Sequence, residues 1–103
     1  MIMIPTTSKP KFPLGRILST PGALDVLKES GQSAAVFLDR HATGDWGNLS
    51  DDDKRLNDEA LIDGGRILSA YKTRLGTKLW IITEAADDAG HRAATTILLP
   101  EEY

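Results

Sequence analysis

The chain has 103 residues, a formal net charge of −3 and no cysteine; this suits one domain with one core and excludes disulfides, thiolate nucleophiles and cysteine-held zinc. An apolar share of 41% and a charged share of 26% are ordinary for a globular protein, and no apolar run approaches the ~20 residues that span a bilayer. The mild acidity argues against nonspecific adhesion to nucleic acid or anionic membrane, while leaving room for a local basic face.

Residues 1–11 (MIMIPTTSKPK) hold two prolines and a Thr/Ser cluster without periodicity, which predicts a flexible tail ahead of a single domain over 12–103. The stretch has neither the basic nor the apolar region of a signal peptide, so the expected location is cytoplasmic. Arg16-Ile17-Leu18 reads as a short strand or extended approach. Thr20 then caps a helix with Pro21 in its first position, Ala23, Leu24 and Leu27 form its apolar stripe, and Gly31 ends it. A second helix starts at the Ser33 cap; Ala34, Phe37, Leu38 and His41 share one face, and the helix stops before Gly44. After the loop Thr43–Asn48, Ser50 followed by Asp51, Asp52 and Asp53 sets a capping hydroxyl and three carboxylates at a helix N-terminus. Leu56, Ala60 and Leu61 are its expected buried stripe, and Gly64-Gly65 its end.

Beyond Gly65 the apolar period changes from 3.6 to 2. Segments 66–74, 77–85 and 92–99 read as strands, with a type I turn at Leu75-Gly76 that places Gly76 left-handed, and Pro100 closes the last. The expected fold class is α+β, with N-terminal helices packed on a three-stranded antiparallel β-meander, because so small a sheet needs a cover. The expected core is Leu24, Leu27, Phe37, Leu38, Leu56, Leu61, Ile67, Trp80, Ile82, Ile97 and Leu99.

Four constellations bear on chemistry. His41 with Asp45 and Asp39, joined by His91, has the donor types of a divalent-metal site, yet Gly44 breaks the helical spacing. The competing reading, which we prefer, is a partly cationic imidazole at a helix C-terminus, with no metal or other cofactor. Gly44-Asp45-Trp46-Gly47 holds a tryptophan between glycines, which is either an interaction anchor, with Asp45 and His41 beside it, or a ring tucked over the helix junction. The acidic run along residues 51–63 resembles a phosphate-mimicking row, but Lys54 and Arg55 interrupt it and a solvated helix face explains it better. Arg66, Lys72, Arg74, Lys78 and Arg92 lie in or beside the strands and, with Tyr71 and Trp80, suggest a nucleic-acid platform; edge-strand charges that prevent aggregation are the bland alternative. Lys78 and Trp80 share a strand face, so a Trp80 on such a platform is not core. Phosphate loops, dinucleotide fingerprints, zinc-protease and serine-hydrolase motifs are all missing, so no catalytic residue is assigned.

The stretches FPLGRILSTPGAL (12–24), HATGDWG (41–47), GTKLWIITEA (76–85) and ATTILLPEEY (94–103) resemble a small bacterial family labelled "plasmid-related protein". The resemblance implies association with plasmids and mobile elements and carries no established activity, so it lends no catalytic residues. The resulting expectation is a noncatalytic interaction or accessory module with a protein partner, acting away from membranes; the alternative is a nucleic-acid-associated accessory protein using the basic strand face.

Overall fold

Hydroxyl caps start all three helices where the sequence places them. Thr20 accepts from the Ala23 amide at the head of α1 (Pro21–Ser30), Ser33 from Ala35 at α2 (Ala34–Ala42), and Ser50 from Asp53 at α3 (Asp51–Asp63). The computed structural model describes residues 10–103. The tail predicted over 1–11 therefore lies mostly outside the described residues, and at its inner end the Lys11 amide donates to the Ala42 carbonyl (2.7 Å).

Four strands form one sheet: β1 (Arg16–Ser19), β2 (Ile67–Lys72), β3 (Lys78–Thr83) and β4 (Ala94–Leu98), ordered β1-β4-β3-β2. Among the described residues the protein is thus α+β, with three α-helices and a mixed four-stranded sheet. The expected three-stranded meander is corrected here: β2, β3 and β4 are antiparallel neighbours, but β1 adds to β4 in parallel, Ile17 opposite Thr95. Gly15 makes this pairing possible. Its φ is +66°, and a Cβ there would overlap the Arg92 and Ala93 carbonyls. The two edges, β1 and β2, are joined through all three helices.

Register sorts the strands into two faces. Ile67, Ser69 and Tyr71 lie opposite Thr83, Ile81 and Leu79, and Ile81 and Thr83 lie opposite Ile97 and Thr95. All eight are buried. On this inner face Ala23, Leu27 and Phe37 of α1 and α2 pack with Tyr71, Leu79, Ile81 and Ile97. A second cluster joins Phe12, Trp46 and Ala60 to Ile67. The outer face carries Leu68, Ala70 and Lys72 opposite Ile82, Trp80 and Lys78, with Thr96 and Leu98 beyond.

Five expected core residues, Leu27, Phe37, Ile67, Ile82 and Ile97, are buried. Leu24 (55% exposed) and Leu56 (61%) are not. Smaller residues make the close contact instead: Ala23, beside Leu24 in α1, and Ala60, one turn beyond Leu56 in α3. Leu38, Leu61, Leu99 and Trp80 are half-buried.

Candidate binding face

Two groups of residues with chemical potential sit in very different places. The first is buried. His41 has no solvent exposure; its Nδ1 lies 2.5 Å from Ser69 Oγ and its Nε2 lies 2.8 Å from Thr83 Oγ1. Thr83 Oγ1 is 2.7 Å from Thr95 Oγ1, which donates to the Leu14 carbonyl at 2.7 Å. That terminal carbonyl fixes every proton in the chain. Thr95 has one hydroxyl proton and gives it to Leu14, so it accepts from Thr83; Thr83 then accepts from His41 Nε2–H. Nδ1 is left with its lone pair toward the Ser69 hydroxyl. Desolvation, aided by the positive charge of Arg92, pulls His41 down from 6.5 to about 4. The ring is therefore neutral at pH 7, and the partly cationic helix-end histidine expected from sequence is corrected by its burial. Both ring nitrogens are engaged, Asp45 lies outside the chain of contacts, and His91 pairs with Asp87 at 3.8 Å on an exposed turn. Among the described residues no three His, Cys, Asp or Glu side chains converge.

The expected interaction trio is split by the fold. Trp46 is 4% exposed; it packs between Phe12 and His41, with ring centroids 6.2 and 6.0 Å away, and donates through Nε1 to Asp58 (3.0 Å). It belongs to the core, so in this conformation it cannot be the contact residue of an exposed anchor. Asp45 is exposed and holds the loop together. It accepts from Arg40 Nε (2.6 Å) and the Gly47 amide (3.2 Å), while its carbonyl accepts from the Tyr71 hydroxyl (2.6 Å). The Arg40 guanidinium beside Asp45 lowers the Asp45 carboxyl below its ordinary value, and burial raises Tyr71 to about 12. Gly47 lets the loop lie directly on β2: Ala70 donates to the Trp46 carbonyl and accepts from the Asn48 amide, and a Cβ at 47 would overlap the Ala70 carbonyl.

The five basic residues are likewise divided. Arg92 is 6% exposed and gives its guanidinium to the carbonyls of Gly65 (2.7 Å), Glu84 (3.0 Å) and Ala60 (3.2 Å). It ties the end of α3 to the end of β3 and is not available to a ligand. Arg74 lies at the α1–α2 junction, its amide bound to Gln32 Oε1 (2.9 Å). Arg66, Lys72 and Lys78 are brought together with Trp80 on the outer face.

There a groove runs between the start of α3 and the sheet. Its larger lobe, about 370 Å³, is walled by Leu49, Leu56, Leu68 and Trp80, with Asn57 and Arg66 at its rim. Its smaller lobe, about 230 Å³, runs over Ala70 to Lys72 and Lys78. Leu49, Asp53 and Trp80 line both lobes. At the side of the face, Tyr103 meets Trp80 edge-on (5.8 Å) and accepts from Arg66 (2.6 Å). Leu49, Leu68 and Tyr103 were not singled out in the sequence, and Asp53 was read there only as a helix-start carboxylate in a solvated acidic run. The available signal was the shared parity of Lys78 and Trp80.

Comparison with protein-family models, with curated proteins and with solved structures finds no match for this chain. No helix among the described residues is long and apolar enough to cross a membrane.

Proposed function

We propose that this protein is a noncatalytic protein-interaction module that docks its partner on the outer sheet face, as an accessory factor of a bacterial plasmid or mobile element working in the cytoplasm. The observation that carries the reading is the half-buried Trp80 at the meeting point of two groove lobes, with leucines on one side and cations on the other. Such an aromatic in a partly desolvated recess is the usual centre of a binding hot spot. Among the described residues the histidine–hydroxyl pair with nucleophile-like geometry, Ser69 with His41, is sealed in the core, which supports the noncatalytic part. The plasmid setting rests on the resemblance of residues 12–24, 41–47, 76–85 and 94–103.

The test is a tagged pull-down from a bacterial host at low and moderate salt, with Trp80→Ala alongside the native chain. A defined protein retained at moderate salt by the native chain and lost from a folded Trp80→Ala is the expected result; retention by Trp80→Ala refutes the site. Trp46→Ala serves as the contrast. Truncating a core tryptophan costs about 3–5 kcal/mol, so that variant loses its cooperative melting rather than a contact. A second reading, a nucleic-acid accessory protein, draws on Arg66, Lys72 and Lys78 beside Trp80. It predicts nucleic acid in the pull-down that elutes steeply as salt rises.

A further inference from the structure

Lys72 and Lys78 lie directly opposite each other at the end of the β2–β3 ladder, on the outer face, and both are exposed. Like charges in that register repel, and among the described residues no carboxylate forms an ion pair with either lysine. The next pair on the same face is Ala70 with Trp80, two residues along each strand, or about 6.6 Å at ~3.3 Å per residue. The groove therefore offers an apolar recess on Trp80 and, one same-face step further, two cations with no anion between them.

Two adjacent sites at that separation match the side chains of residues i and i+2 in an extended peptide, which point to the same side. From this geometry we infer that the face recognises an extended protein segment carrying a large apolar residue and an acidic residue two positions apart. The apolar side chain sits against Trp80, Leu49 and Leu68, and the carboxylate bridges Lys72 and Lys78. This deepens the interaction reading above and rests on it. Charge complementarity also selects the class of partner. Asp53 lines both lobes, and it follows Asp51 and Asp52 in the first turn of α3. A phosphate chain laid along the whole groove would run past the Asp53 carboxylate that lines both lobes, whereas a peptide needs only one carboxylate at the lysine end.

The experiment is selection of a phage-displayed random dodecapeptide library on the full chain, repeated on Trp80→Ala and on the double variants Lys72→Glu/Lys78→Glu and Lys72→Gln/Lys78→Gln. Each variant is checked for native circular dichroism and melting, and the two lysine pairs cover each other should one fail to fold. The expected outcome is a consensus with an aromatic or leucine and an Asp or Glu two residues apart. A synthetic peptide of that consensus then binds at least tenfold more weakly to the glutamine pair and to Trp80→Ala, and selection on the glutamate pair replaces the acid with Lys or Arg. A consensus without the acid at that spacing, or one that survives charge reversal, overturns the inference while leaving a protein-binding face in place. No consensus at all, or tight salt-sensitive binding of a twenty-residue oligo(dT) on the same face, overturns it as well; with the oligonucleotide result the interaction reading falls too.

Discussion

A histidine at a helix C-terminus gains from the negative end of the dipole only when it carries a proton, and His41 reaches that position too deep in the core to hold one. Its folded value of about 4 against 6.5 for the free side chain makes the unfolded state the better proton binder between those limits. Stability therefore rises with pH across that window and is lost as the pH falls from about 6.5 toward 4, by about 3 kcal/mol from this group alone. Urea unfolding of the native chain and of His41→Gln at a series of pH values checks this. The native chain takes up about one more proton on unfolding than the variant does, and the variant's curve is flatter although its stability at pH 7 is lower, because Ser69 and Thr83 lose a partner. The helical face of His41 was readable from its spacing to Ala34, Phe37 and Leu38. Its neutrality was not, because the hydroxyls that hold it come from β2 and β3, 28 and 42 residues away.

Edge protection is decided at the level of the element. An edge strand leaves a row of amides and carbonyls free to pair with another chain, and β2 is an edge. Asn57 of α3 answers for one residue: its side-chain amide donates to the Leu68 carbonyl (2.7 Å) and its Oδ1 accepts the Leu68 amide (3.2 Å). The Trp46–Asn48 segment satisfies Ala70 in the same manner. Asn57→Leu removes both bonds to Leu68 and leaves two polar groups facing a hydrocarbon; the expected loss is about 1–3 kcal/mol, with concentration-dependent self-association by light scattering. The β2–β3 hairpin carries a repulsion in the opposite sense. Replacing Lys78 by Glu opposite Lys72 converts a like pair into an opposite pair, worth about 0.2–1 kcal/mol, or a rise of about 1–4 °C in Tm for a domain of this size. A gain in stability from a substitution that removes binding is the signature of a site kept for function.

For the molecule as a whole, charge is unevenly placed at two sites. The first turn of α3 carries Asp51, Asp52 and Asp53, and Lys72 and Lys78 share one end of the outer sheet face. A net charge of −3 thus hides a locally basic face, as its modest size allowed. The helices and the antiparallel strands were determined by the sequence itself, since Thr20, Ser33 and Ser50 caps, Gly31 and Gly64 ends and the change of period after Gly65 are all local signals within one turn or one hairpin. Tertiary structure alone decided the parallel pairing of β1, the face of Trp80 and the fate of Trp46. β1 pairs with a strand at the far end of the chain, and no local pattern encodes the register of such a parallel contact. Whether a tryptophan flanked by glycines is core or anchor depends on Phe12, His41 and Asp58 arriving from three other segments. Periodicity divides a strand into two faces, and only the packing of α1 and α2 on one of them decides which is core.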